Sequence, residues 1–254
     1  AGKILHTGVS FLFRKSKEYI TEAKNHYKTI CDDAKNLILT DKEWKELSDV
    51  GDYIEGMLKG FYKKNAVFIN KIQQVKNEVK LRLELDKGIF VGSIDNLFKF
   101  ENQLWMHELK SAKELTEYRI DKIKTDLQHS AYYYVFHILY PKHKIHKIRY
   151  DIIRKPSIRQ KQNETLEEYK KRLLTWYDGI DSSCDDRKFY SEPLDAPKLK
   201  EDNVFNTLNH VADEMSRCKD IDDFYQNFDI CSDKYGKCQY FEICHRGDMG
   251  VLCH

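Results

Sequence analysis

A chain of 254 residues with 41% hydrophobic composition can bury a full core, so one elaborated domain or two small ones are expected and no disulfide framework is needed. Lys and Arg total 43 against 41 Asp and Glu, a net charge of +2, which excludes attraction of nucleic acid by the whole-molecule field and leaves that task to local basic clusters. Charged residues make up 33% of the chain and interrupt every apolar stretch short of about 18 residues, so a membrane span is not expected.

The opening AGKILHTGVSFLFRKSK holds a short apolar patch without the long core and cleavage site of a secretory signal. Residues 14 to 39 are helix-compatible, free of Pro and Gly. A second helix is predicted from Asp41 as N-cap, with Trp44, Leu47, Val50, Ile54, Met57, Leu58 and Phe61 at helical spacing. Val75, Val79, Leu81, Leu83 and Leu85 alternate with Lys76, Glu78, Lys80, Arg82 and Glu84, the period of two of a half-buried strand. The turn DKG at 86 to 88 leads to two further strands, about 89 to 99 and 103 to 110.

From Thr116 to Tyr140 no Gly or Pro intervenes, and Ile120, Ile123, Leu127, Ala131, Tyr134, Val135 and Ile138 predict one long helix. KIRYDIIRK (147 to 155) reads as a strand ended by Pro156, and ETLEEYKKRLLTWY (164 to 177) as a charged amphipathic helix. Residues 178 to 202 read as a loop. The order predicts an α/β core with a largely helical N- and C-terminal cover, divided as a helical segment 1–40, a core 41–177 and an irregular or helical region 178–254.

On a strand, residues two apart share a face, so Glu108 and Lys110 point together, with Asp95 across from them on the preceding strand. Two carboxylates beside a lysine can hold a hard divalent cation and position a water for attack on a phosphate, with the lysine offsetting developing charge. The plain alternative is a set of surface ion pairs. The arrangement GSIDNLF, then HELKSA with Glu108 thirteen positions after Asp95, then LQHSAYYY, resembles the PD-(D/E)XK nuclease superfamily, in particular its RecB-like and phage-exonuclease branch. Asp95, Glu108 and Lys110 fall on the family motif, with Ile94 in place of its proline.

Gln128 and Tyr132 match the branch's Gln-x-x-x-Tyr motif. Where the branch shows Gly-x-x-x-His, with the histidine completing the metal shell, Gly51-Asp-Tyr-Ile-Glu55 puts Glu55 in the histidine's role. A carboxylate there suits Mg2+ or Mn2+ better than imidazole does. The resemblance implies a restriction-endonuclease-like core with a central mixed sheet flanked by helices. The function it implies is a Mg2+- or Mn2+-dependent deoxyribonuclease, an exonuclease of phage or bacterial DNA recombination, repair or end processing in the cytoplasm, partnered by a helicase or single-strand annealing protein. The rival is a non-catalytic DNA-binding or scaffold domain that keeps the fold.

Four of the seven cysteines fall in the last two dozen residues, a clustering that favours metal ligation in a reducing compartment. Cys231, Cys238 and Cys244 need a fourth ligand for a zinc site or a four-iron cluster. Cys31 is the candidate, and Cys218, Cys253, His245 and His254 are the others. The cluster-bearing RecB-like nucleases join one early cysteine to three late ones, which implies a structural 4Fe–4S cluster here; zinc and unligated thiols are the alternatives. Lys142, Lys144, Lys147, Arg149, Arg154, Lys155, Arg159 and Lys161 form a basic stretch for DNA phosphates. Nothing in it resembles a base-reading module, so the DNA binding expected is sequence-independent.

Overall fold

The computed structural model describes residues 2–37, 39–123, 126–179, 187–195, 197 and 200–218, together with the backbone of 232–233 and 236–237. Helices α1 (Gly2–Phe13), α2 (Tyr19–Ala34) and α3 (Asp41–Lys71) precede three consecutive strands, β1 (Gln73–Leu85), β2 (Gly88–Phe100) and β3 (Gln103–Ala112). Then come α4 (Glu117–Ile123), α5 (Leu127–Leu139), β4 (Ile145–Arg154), α6 (Leu166–Tyr177), β5 (Phe189–Leu194) and α7 (Glu201–Arg217), with a short β6–β7 pair at 232–233 and 236–237. The chain divides into two units: one of residues 1–83 with 90–206, which holds most of the sheet, and one of residues 84–89 with 207–254.

The main sheet has the order β1-β2-β3-β4-β5. Strands β2 and β3 run antiparallel, β3 and β4 parallel, and β4 and β5 antiparallel. It is thus the mixed sheet expected of a restriction-endonuclease-like core. The tight turn between β2 and β3 places Glu101 and Asn102 at φ of 50° and 63°, the left-handed pair that matches the twist of a two-residue hairpin.

One face of the sheet packs Phe98, Trp105, Leu109 and Ile153 against α1, α3 and α6. The other packs Leu97, Met106 and Ile148 against Val135 and Phe136 of α5, and continues through Ala112, Tyr150 and Ile152 to Ile123 of α4. At Gly8 an added Cβ would stand 2.5 Å from a methyl of Leu58, so the missing side chain is what lets α1 lie close on α3.

Several expected elements differ. The apolar opening is a helix, α1, whose Ile4, Leu5, Val9, Leu12 and Phe13 are buried in the core. The helix expected over 14–39 starts at Tyr19, after a turn at Lys15 with φ 60°. Thr40, not Asp41, caps α3 in a reciprocal box with Glu43. The long helix expected over 116–140 is two, because the Asp126 side chain accepts from the Gln128 amide and starts α5 afresh. The loop expected over 178–202 contains β5, so the sheet runs past the core boundary drawn at 177.

Candidate active site

The β2–β3 ladder runs from Phe100↔Gln103 to Asn96↔His107. One step further, Asp95 turns its side chain into the gap, and Oδ2 accepts the Leu109 amide at 2.8 Å. Ile94 and Leu97, three apart, both join the layer under α5, so the alternation of β2 slips by one around Asp95. His6 on α1 reaches the same place. Its Nδ1 lies 3.1 Å from Asp95 Oδ1 and its Nε2 2.8 Å from the Leu109 carbonyl. With an acceptor opposite each ring nitrogen, the imidazolium is the form that satisfies both. Burial opposes that charge, but the Asp95 carboxylate outweighs it and His6 sits above its ordinary pKa. Asp95 is correspondingly lowered: burial would raise it, and His6 and the Leu109 amide prevail.

Glu108 is almost fully enclosed, with 3% of its side chain exposed, and Oε1 takes the ammonium of Lys110. Burial, and then the neighbouring Asp95 charge, push its carboxyl up to about 7 despite the lysine. Lys110 is raised because Glu108 and Asp95 overcome its own burial. Its Nζ also donates to Gln128 Oε1 at 3.0 Å, and Gln128 Nε2 donates to the Tyr132 hydroxyl at 3.0 Å. Tyr132 is held by Gly92 of β2, where a Cβ would stand 2.5 Å from the ring. Glu108, Lys110, Gln128 and Tyr132 therefore form one connected run from β3 to α5, and Asp95 of β2 is tied to the same stretch of β3 through the Leu109 amide, between Glu108 and Lys110.

Glu55 is not part of it. On α3 it pairs with Lys24 and Lys59, each at 2.6 Å. Burial would raise its carboxyl, yet the two lysines bring it down to about 2. The side chain that meets Asp95 is His6, and the signal for it lies in Gly2-Lys-Ile-Leu-His6, which has the same Gly-x-x-x-His spacing as the motif assigned to 51–55. Cys31 is a half-buried free thiol on α2, whereas Cys231, Cys238 and Cys244 lie outside the described residues. Arg149, assigned to the basic stretch, is buried and unavailable to DNA phosphates.

Arg149 belongs instead to a polar chain on the opposite sheet face. Ser10 Oγ donates to Asn96 Oδ1 at 2.8 Å, and Asn96 Nδ2 meets His107 Nδ1 at 2.9 Å. His107 Nε2 meets Asp151 Oδ2 at 3.0 Å, which also accepts from Arg149 Nε at 2.9 Å. Arg149 then donates to Asn65 Oδ1 at 2.6 Å, with its guanidinium 3.7 Å from the Phe68 ring centre. Asn96 follows Asp95 and His107 precedes Glu108, so this chain fixes the two strands immediately behind the acidic pair.

Among the described residues no three His, Cys, Asp or Glu side chains are already gathered into a metal cage. The donor chemistry still fits a hard divalent ion of the magnesium kind, which is commonly held by one or two carboxylates and completed by water and substrate phosphate. Asp95 and Glu108 could supply the carboxylates, and the pressure of the Asp95 charge on Glu108 is what a cation would relieve.

Two strands that carry an acid each, a lysine two residues after the second acid, and a following helix whose Gln reaches that lysine are now in place. A model of the PD-(D/E)XK nuclease superfamily matches residues 1–245. The chain belongs to that superfamily. Membership points to nuclease activity with DNA as substrate and a divalent metal such as Mg2+ as the usual cofactor. The solved structure titled "Crystal structure of SSO0001" is 15% identical over 71% of this chain and 70% of its own, with a TM-score of 0.33, a likeness too low to bear on the superfamily's function here. No curated protein matches this sequence. Among the described residues no helix is long and apolar enough to cross a membrane.

Proposed function

We propose that this protein is a divalent-metal-dependent deoxyribonuclease that hydrolyses phosphodiesters without sequence preference, acting as an exonuclease on DNA ends in recombination or repair. The observation that carries the reading is the pressed pair of Asp95 and Glu108 with Lys110 bound to the second acid. The end-processing role follows from the resemblance to the RecB-like and phage-exonuclease branch.

Asp95 and Glu108 would hold the cation, which when bound supplies Lewis-acid polarisation of the phosphodiester. His6 keeps Asp95 ionised and aimed by donating to one carboxylate oxygen while the Leu109 amide occupies the other. Lys110 orients the attacking water and offsets charge developing on the phosphoryl oxygens. Gln128 grips the lysine ammonium, and Tyr132 grips Gln128, so the ammonium is held before substrate arrives.

The test is digestion of 5′- and 3′-labelled linear duplex and single-stranded DNA with Mg2+ or Mn2+. Cation-dependent release of short end products is expected, reduced about 10²-fold or more in Lys110→Ala and Asp95→Ala. Binding without cleavage by the unmodified protein would favour the non-catalytic DNA-binding reading instead.

A further inference from the structure

We propose that the cavity beside Lys110 is a nucleoside subsite that receives one unpaired nucleotide of the strand being cut, which makes an unpaired DNA end the substrate. The proposal rests on the nuclease reading for the position of the scissile phosphate, and on the cavity itself for the rest.

The cavity, of about 490 Å3, opens between α4, the first turn of α5 and the ends of β3 and β4. That volume is within the range of small-molecule sites, about 300–1,000 Å3, and is of the order of a single nucleotide. Glu108, Lys110 and Ala112 succeed one another on one face of β3, so the cavity begins where the catalytic group ends and Lys110 belongs to both.

Its chemistry is divided as a nucleotide's is. Ala112, Ile123, Leu127 and Ile152 make much of the lining apolar, with Ala112, Ile123 and Ile152 packed together, a surface suited to the flat face of a base. Arg119 and Lys122, set against the single carboxylate of Asp126, supply positive charge for a neighbouring phosphate. Tyr118, one residue before Arg119, is 75% exposed, and the Lys122 ammonium lies 5.9 Å from its ring centre. An exposed aromatic ring among cations is the surface on which unpaired bases stack. Tyr150 lines the cavity and pairs in register with Glu108.

The test uses the full chain and single-stranded oligonucleotides with an abasic nucleotide placed in turn at each position near the cleaved end. Steady-state cleavage is measured, together with anisotropy of the same strands without metal. One position should raise KM about tenfold with kcat little changed, since a stacked base contributes a factor of that order. Single strands should also be cut faster than blunt duplex. Leu127→Trp, which fills the cavity from a half-exposed position, should weaken binding of the intact strand and erase the abasic difference, with circular dichroism and melting checking that it folds. Equal KM and equal affinity for intact and abasic strands at every position would overturn the subsite while leaving the nuclease reading intact. If no strand is cut, the nuclease reading fails, and the anisotropy still decides: a preference of about tenfold for the intact strand supports the subsite, and none overturns it.

Discussion

Glu108 on β3 and Asp151 on β4 are both buried acids on adjoining strands of one sheet, yet they are driven in opposite directions. Asp151 faces α1 and α3, where burial is outweighed by Arg149 and His107 and the carboxyl is held down to about 2. Glu108 faces α5, where burial and Asp95 prevail over one half-exposed lysine and the carboxyl rises to about 7. The two faces differ in how fully their charges are answered. The Ser10–Asn96–His107–Asp151–Arg149–Asn65 chain supplies its own cation and leaves only Asp151 Oδ1 unpartnered within it. At the other site His6 answers Asp95 and Lys110 answers Glu108, yet burial and Asp95 still hold the Glu108 carboxyl far above its ordinary range, a pressure that a cation shared by the two carboxylates would relieve. Strands tied rigidly on one side can thus hold a strained group of charges on the other.

The comparison breaks first at Asp151. Asp151→Ala would leave the Arg149 guanidinium buried without its carboxylate, and a loss of about 3–5 kcal/mol is expected in urea unfolding. A loss below about 1 kcal/mol would mean that the polar chain does not hold the strands.

Glu108→Gln should behave oppositely. Cleavage falls about 10²-fold or more, while stability of the metal-free protein at pH 8 does not fall, because a strained charge has been removed. The pH dependence sharpens this. The raised Glu108 carboxyl contributes stability that is full below its unfolded value of 4.5 and is lost as pH rises through about 7. The depressed Asp151 carboxyl contributes stability that is full above 3.8 and is lost as pH falls through about 2. Melting of the metal-free protein between pH 5 and pH 8 should therefore show a decline that Glu108→Gln reduces, the remainder belonging to the raised His6 imidazolium; an unchanged decline in the variant would contradict the assignment to Glu108.

The smallest effect is expected at Glu55, whose two lysine partners are themselves partly exposed. Glu55→Gln should cost less than about 1 kcal/mol and leave cleavage unchanged; loss of cleavage would restore Glu55 to the site.

Much of the candidate site was legible because strand periodicity is short. Alternation puts Glu108 and Lys110 on one face of β3, and the Gln128–Tyr132 spacing places both on one side of a helix, whereas Asp95 reaches them only through the slip in β2 that no alternation foretells. His6 carried the Gly-x-x-x-His spacing at Gly2–His6, but Gly51–Glu55 competed for the same role, and only the packing of α1 on the sheet decides between them by joining His6 to Asp95. The break between α4 and α5 was hidden because Asp126 interrupts no apolar period, and β5 because FYSEPL contains Pro193 and lies within a polar stretch. Arg149 read as a DNA contact because its neighbours are basic, whereas β4 alternation turns it inward beside Asp151 on the same face.

The most direct test of the account is calorimetric titration of Mn2+ into the unmodified protein and into Asp95→Asn, Glu108→Gln and Glu55→Gln. The account predicts a binding event that both Asp95→Asn and Glu108→Gln abolish and Glu55→Gln retains. Undiminished binding by Glu108→Gln, or its loss in Glu55→Gln alone, would contradict the claim that Asp95 and Glu108 form the cation site.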